Sequence, residues 1–242
     1  MEESDLIRSP QPLHGMFNKV PPRYDLINHI ITLGQDKRWR KAAAKVCLEG
    51  NPEQLLDLGC GTGDLTIEIA LQAKSTPEIT GLDYAQPMLA IARAKAEKKG
   101  VKDKVTFIHG DATKIPYSDG YFGCVGISFA FRNLTYLNPH WEVHLAEVYR
   151  VLKSGGRFVI VESSQPHNAF IRACDHLYLR VFVRPAGAIL SHEGPAYKYL
   201  AESAVHYYNP EQVREMLLRT GFREVSYRPL LLGAAGIHIA TK

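Results

Sequence analysis

Between residues 54 and 163 the chain switches repeatedly between short apolar runs and stretches whose apolar residues stand three and four apart. The runs "QLLDLG", "EITGLD", "VTFIHGD", "YFGCVGIS" and "RFVIVES" have the length and composition of buried parallel strands. Helical patterns lie between them: one over 63–74, one in "PMLAIARAKAEKKG" with Pro87 in its first turn and Gly100 past its last, and one in "HWEVHLAEVYRVLKSGG", expected to be closed by its glycines. Parallel neighbours need a long crossover, which a helix supplies. The alternation therefore predicts an α/β fold with a doubly wound, mostly parallel sheet and helices on both faces.

The flanking segments define the remaining organisation. Residues 1–50 include a Pro-interrupted stretch and then one or two amphipathic helices ending near Gly50, read as an N-terminal helical lid segment. Residues 51–164 form the core, and residues 165–208 keep helical periodicity without resolving into strand–helix units, as expected of an inserted helical cap. Residues 209–242 complete the sheet: Asn209 as N-cap, Pro210 in the first position, Glu211 in the first turn and Gly221 as the stop mark a helix, followed by strands "EVSYRPL" and "GIHIATK" around Gly233.

The 242 residues, 45% hydrophobic and 22% charged, suffice for one large core. A balance of 29 basic to 25 acidic residues is too even to argue for nucleic acid, and the clusters "DKRWRK" (36–41) and "AKAEKKGVKDK" (94–104) read as solvated helix faces. Glu2, Glu3 and Asp5 open the chain unlike a signal peptide, and no apolar run reaches the ~18 residues of a membrane span. Cys47, Cys60, Cys124 and Cys174 show neither metal nor disulfide spacing. A cytoplasmic protein with no metal is expected, meeting any membrane from its surface.

The first strand hands over to the first helix through "LLDLGCGTGDLT", which sets Asp57, Gly59, Gly61 and Gly63 at the carboxyl edge of the sheet, where doubly wound folds bind ligands. Glycine there permits positive φ and removes Cβ atoms that would hold a ligand away. Asp83 ends the next strand 20 residues after Gly63, where an acid accepting from ribose hydroxyls belongs. Such a charge-assisted contact is worth roughly 1.5–3 kcal/mol. The dinucleotide fingerprint is G-x-G-x-x-G, whereas here G-x-G-x-G runs directly into Asp64. An acid at the helix start repels a pyrophosphate but not a sulfonium, so S-adenosylmethionine fits better than NAD. Cys60 has no evident base and reads as a small filler. His140 and His144 lack the H-E-x-x-H order and a third ligand and are expected at the surface.

Taken together, "LDLGCGTGDLT", "GLDYAQPML", "GDATKIPYSDGYFGCVGISFAFRNL", "EVYRVLKSGGRFVIVE" and "FNKVPPRYDLINHIITLGQDKRWR" resemble the ubiquinone/menaquinone biosynthesis C-methyltransferases of the UbiE/COQ5/MenG type, from about Phe17 to the C-terminus. The resemblance implies a Rossmann-like class I methyltransferase fold, seven-stranded with a final antiparallel strand, and S-adenosyl-L-methionine as cofactor. By the same resemblance Thr62 lies beside the methionyl part, Asp83 takes the ribose, Tyr84 next to it is a further cofactor contact, Asp111 and Ala112 flank the adenine, and Ser128 ends the fourth strand near the cofactor. The implied reaction is C-methylation of a polyprenylated quinol ring, of demethylmenaquinol or benzoquinol type.

Arg132 and Asn133, just after the fourth strand, are the candidates to stabilise a phenolate or orient a water. Tyr24 and Asp25, in the segment the family folds over the cofactor, are candidates to align the ring or accept a proton. His192 in the cap could approach the substrate. Phe170, Cys174, Leu177 and Val181, at helical spacing with Arg172, Arg180 and Arg184 nearby, read as a core helix or as a lid opening onto an apolar substrate while its arginines touch anionic lipid. "SFAFRN", "ESSQP" and "LSHEGPAYKYLAES" depart from the usual family forms and leave the acceptor open. Another small or lipid acceptor, and a non-catalytic cofactor- or prenyl-lipid-binding subunit, stand as alternatives. Nucleic acid is not expected as a partner; peripheral membrane contact and a homodimer are open options.

Overall fold

The computed structural model describes residues 24–183, 185 and 202–242. The first 23 residues and much of the second half of the expected cap, with Arg184 and His192, lie outside the described residues.

Among the described residues, helices α1 (Tyr24–Ile31) and α2 (Gln35–Leu48) precede the sheet. The core then runs β1 (Gln54–Leu58), α3 (Asp64–Gln72), β2 (Glu78–Asp83), α4 (Gln86–Lys98), β3 (Val105–His109), β4 (Phe122–Ser128), α5 (Phe131–Thr135), α6 (Trp141–Val151) and β5 (Leu152–Ser163). The expected cap supplies α7 (Ala169–Tyr178), running on into a π-helical turn at Leu179–Val183. The chain closes with α8 (Pro210–Thr220), β6 (Glu224–Leu230) and β7 (Ala235–Thr241). Asn209 and Gln212 form the capping box of α8, and Gly221 ends it in the left-handed region.

The seven strands are ordered β3-β2-β1-β4-β5-β7-β6. The first five strands pair in parallel, and β7 runs antiparallel to both β5 and β6. Alternation along the strands divides the core: Leu55, Val159 and Val161 pack with α2, α3 and α4 on one face, while Leu56, Phe158 and Ile160 pack with α5, α6 and α8 on the other. The chain builds outward from β1 to β3, then crosses back to β4. The carboxyl ends of β1 and β4 therefore flank a switch point, which opens as a cleft.

One boundary differs from the sequence expectation. α6 stops at Val151 rather than at the glycines, and "LKSGG" belongs to β5, whose Leu152 pairs with Phe122. The reason lies at the far end of the chain: the Lys242 ammonium donates to the carbonyls of Tyr149 at 2.6 Å and Leu152 at 2.8 Å. A cation at a helix C-terminus satisfies its free carbonyls and suits its dipole, so no glycine stop is needed.

His238, in β7 between Ile160 and Tyr227, is buried, and among the described residues neither ring nitrogen has a partner in good hydrogen-bond geometry. Burial pushes its pKa down to about 4, the backbone of Pro210 acting in the opposite sense. A histidine whose folded pKa lies below its unfolded value costs stability as pH falls from the unfolded value, ~6.5, towards the folded one, up to about 3 kcal/mol. Asp57, which burial pushes up to about 7, acts with the opposite sign over the same range. The difference between proteins is thus the informative quantity. His238→Leu is expected to gain stability on wild type between pH 7.5 and pH 5, read from urea unfolding at both values.

Candidate active site

Two carboxylates hold the glycine turn. Asp57, buried at the end of β1, accepts from the Thr66 amide at 2.9 Å and its hydroxyl at 2.6 Å, filling the first turn of α3. This is a cap delivered from a neighbouring strand. Asp83, at the end of β2, accepts from the Gly61 amide at 2.7 Å with one oxygen and the Ala85 amide at 2.8 Å with the other. Burial raises its pKa, and those same backbone donors pull it back. Each Asp83 oxygen keeps a lone pair for a further donor in the cleft it lines.

Gly59, Gly61 and Gly63 all have positive φ, at 64°, 53° and 79°, but the space around them differs. A Cβ on Gly59 would meet the Ala130 Cβ at 2.9 Å, and one on Gly63 the Ala92 Cβ at 2.9 Å, so both are needed for packing. A Cβ on Gly61 would meet nothing within 4 Å, and Gly61 faces the cleft. Cys60 between them is buried in the core, its thiol raised well above the ordinary value by burial, and is a filler.

The cleft encloses about 1000 Å³ and runs from the glycine turn past the ends of β2 and β4 to the underside of α1 and α7. Asp57, Gly59, Gly61, Thr62, Asp83, Tyr84, Asp111, Ala112, Ser128, Arg132 and Asn133 all line it. Tyr84 is tilted against His109, and the Asp111 carboxylate accepts from the amide and hydroxyl of Thr113, both at 2.8 Å. Arg132 is buried: its amide donates to Glu162 Oε2 at 3.1 Å, its guanidinium lies 3.8 Å from Glu162 Oε1 and donates to Ser163 Oγ at 3.3 Å, and its Nε has no partner among the described residues. A buried guanidinium N–H without a partner is a costly group that a ligand oxygen would satisfy. Phe129, between Ser128 and Ala130, sits at φ 56°, a conformation rare outside glycine and typical of strained backbone near sites.

Asp25 and Tyr24 are placed differently. One Asp25 oxygen accepts from the Thr62 hydroxyl at 2.7 Å and the other from Lys95 Nζ at 2.8 Å, so this carboxylate tethers α1 to the glycine turn. Tyr24 opens α1; its side chain lies outside the described residues.

The charged clusters are not simply solvated faces, as the sequence had suggested. Asp36, on α2, is 1% exposed. Its carboxylate accepts from Arg40 at 2.6 Å and the Thr32 hydroxyl at 3.0 Å and lies 2.6 Å from His29 Nδ1. Burial alone would raise its pKa, but Arg40, His29 and Thr32 together hold it below the ordinary value. Arg40 also donates to Ser128 Oγ at 3.1 Å and stands over the Phe129 ring. Lys95 bridges Asp25, Thr62 and Asp64. Asp64 is thus ion-paired with Lys95 and lies 3.5 Å from Arg40, so its charge is compensated, and the simple contrast between pyrophosphate repulsion and sulfonium attraction loses force. His144 is likewise no surface residue: it is buried on the cleft wall with Nδ1 2.9 Å from the Leu134 carbonyl, while His140 is exposed.

A glycine turn after β1, an acid ending β2 and a seven-stranded sheet with β7 antiparallel define a class I S-adenosylmethionine-dependent methyltransferase. Solved structures share the fold: an O-methyltransferase family protein of Burkholderia thailandensis (TM-score 0.68, 11% identity, 99% of this chain and 67% of that one) and a SAM-dependent methyltransferase of Aquifex aeolicus (TM-score 0.54, 18% identity, 78% and 81%). The chain belongs to the ubiE/COQ5 methyltransferase family, whose model matches residues 6–242. Similar proteins include the demethylmenaquinone methyltransferases of Thermus thermophilus, 39% identical over 94% of this chain and 100% of that one, and of Deinococcus radiodurans, 39% identical over 96% and 93%. The protein is accordingly an enzyme that uses S-adenosyl-L-methionine. The open face of Gly61 and the spare lone pairs of Asp83 fit that cofactor.

The three glycines should separate by function. Gly61→Ala is expected to weaken S-adenosylmethionine binding about tenfold or more in calorimetry, with only the roughly 1–2 kcal/mol backbone cost in stability. Gly63→Ala, which adds a clash with Ala92 and Phe107, is expected to lower the melting temperature further.

Proposed function

We propose that this enzyme methylates a ring carbon of a reduced, polyprenylated demethylnaphthoquinone. The observation that carries the reading is the continuity of the cleft: at about 1000 Å³ it is at the upper end of small-molecule pockets, ~300–1,000 Å³, and has room for a second molecule beyond the cofactor. The names of the similar proteins favour a naphthoquinol over a benzoquinol.

When bound, S-adenosylmethionine supplies an electrophilic methyl. Within this reading Asp83 takes the ribose hydroxyls, Tyr84, Asp111 and Ala112 border the adenine, and Thr62, Gly61 and Ser128 border the amino-acid arm. The quinol must surrender a hydroxyl proton, which for a phenol-like pKa of ~10 costs about 4 kcal/mol at pH 7. Arg132 offsets part of this by offering its unpartnered Nε to the developing phenolate, with Asn133 beside it. Glu162 holds the guanidinium in place. Orientation supplies much of the rest, because ring carbon, methyl and sulfur must be in line.

The prenyl tail leaves towards α7. No residue of this helix is buried, which removes the core-helix reading. Phe170, Leu177 and Val181 are 77%, 62% and 65% exposed, Cys174 is exposed between them, and Arg180 is exposed nearby. Among the described residues no helix is long and apolar enough to cross a membrane. A stripe of this kind favours a shallow seat in a lipid surface that delivers the substrate.

Labelled S-adenosylmethionine with reduced demethylnaphthoquinol is expected to yield a ring-methylated product by mass spectrometry; Arg132→Lys is expected to lower kcat about 100-fold with cofactor binding unchanged. Absence of any methylated quinol would overturn the acceptor. In flotation, the protein is expected to rise with anionic vesicles in a salt-sensitive way, and Leu177→Asp to weaken this.

A further inference from the structure

The two faces of α7 are reversed relative to an ordinary surface helix. Its apolar stripe points outward, whereas Asp175, its one acidic residue, lines the cleft together with Tyr178 and Leu179. Asp175 and Tyr178 are one turn apart and share a face. The Tyr178 hydroxyl donates to the Ile31 carbonyl at 3.0 Å, and Val183 packs on Ile27 and Ile31, so this inward face is held against α1.

Among the described residues five other carboxylates line the same cleft, and each is engaged. Asp36 is held by Arg40, Thr32 and His29; Asp57 by Thr66; Asp64 by Lys95; Asp83 by Gly61 and Ala85; Asp111 by Thr113. Asp175 alone among the described acids of the cleft has no hydrogen-bond or ion-pair partner. The cationic groups near it in sequence are turned elsewhere: Arg172 donates to the Pro166 carbonyl, His176 meets Gln165, and Arg180 is exposed. Across the cleft Arg132 is paired with Glu162 and His144 with the Leu134 carbonyl. A carboxylate left unpaired in a cavity, at the end where an acceptor would enter, has the properties of a proton acceptor awaiting its donor.

We infer that Asp175 is the general base that takes the hydroxyl proton of the acceptor quinol, an assignment that rests on the proposed acceptor. The O–H bond breaks, its electron pair stays on the ring oxygen, and the proton passes to a carboxylate oxygen of Asp175. The oxygen pair then moves into the ring as the ring carbon bonds the methyl and the S–CH3 pair returns to sulfur. The ring carbon next loses its own proton to water while Asp175 returns its proton to the ring oxygen. The net change is one methyl gained, one ring proton released and Asp175 regenerated. Burial pushes the Asp175 carboxyl up to about 6, close enough to neutral pH to be both mostly ionised and usefully basic.

The test compares wild type, Asp175→Asn and Asp175→Glu, each with S-adenosylmethionine and reduced demethylnaphthoquinol, and with a quinol whose electron-withdrawing substituent ionises it near pH 7. Asp175→Asn is expected to lower kcat at pH 7 by about 100-fold or more, the range for loss of a general base. It should also lose the acid limb of the kcat profile near pH 6, bind the cofactor normally in calorimetry, and regain much of the deficit on the acidic quinol. Asp175→Glu is expected to retain the acid limb and part of the rate. Asp175→Asn with near-normal kcat and an intact acid limb, beside an active wild type, would overturn the assignment and leave the acceptor standing. A wild type that methylates no quinol overturns the acceptor, and the assignment with it.

Discussion

Everything in the site hangs on the grip of two carboxylates, the buried Asp57 and the half-buried Asp83, on one turn. Asp57 reaches from the end of β1 to the amide and hydroxyl of Thr66, and Asp83 reaches from the end of β2 to the amide of Gly61. The turn between them has left-handed residues at Gly59, Gly61 and Gly63, and the carboxylates add to the backbone bonds from Cys60 to Leu82 and from Gly63 to Cys60 that shape it. Burying a carboxylate is expensive unless hydrogen bonds repay it. Here the donors are the backbone amides that the turn and helix start leave without partners, so one set of bonds settles both costs. The price is visible in the upward pKa of both acids.

The roof is attached to that same turn by charge. Lys95 of α4 holds Asp25 of α1 and Asp64 of α3, and Arg40 of α2 holds Asp36 and Ser128. A ligand touching Thr62 or Ser128 therefore touches residues already bonded to the N-terminal helices. Half-buried ion pairs of this kind contribute modestly to stability but discriminate sharply between arrangements. Their effect is to tie the placement of α1 and α2 to the geometry of the glycine turn and the end of β4.

How much of this was legible depended on distance along the chain. The glycine turn and Asp83 were readable because strand–turn–helix spacing fixes them locally, and Asn209, Pro210 and Gly221 marked α8 for the same reason. Asp36, Arg40 and Lys95 sat in stretches that look solvated, because Ser128 lies 88 residues from Arg40 and Asp25 lies 70 from Lys95. The end of α6 was misplaced because its cap, Lys242, is about ninety residues away. His144 looked exposed on its own helix, whereas the fold buries it and brings the Leu134 carbonyl to its Nδ1. Periodicity reveals stripes on a helix and is silent about which neighbour each stripe will meet.

α7 shows why that silence falls on function. Its spacing announces an apolar face, and the ordinary inference sends such a face inward. The fold instead turns it out, leaving Phe170 and Leu177 largely in solvent, and points Asp175 into the cleft. Both placements are unfavourable in water: one exposes apolar surface, the other takes a carboxyl from solvent without a partner. Both become favourable together if the outer face meets lipid and the inner face meets the polar ring of a molecule that came from that lipid. On the proposed reading, the reversed polarity of this helix is thus a single solution to two demands. It cannot be found from either face alone, because each by itself looks like an error.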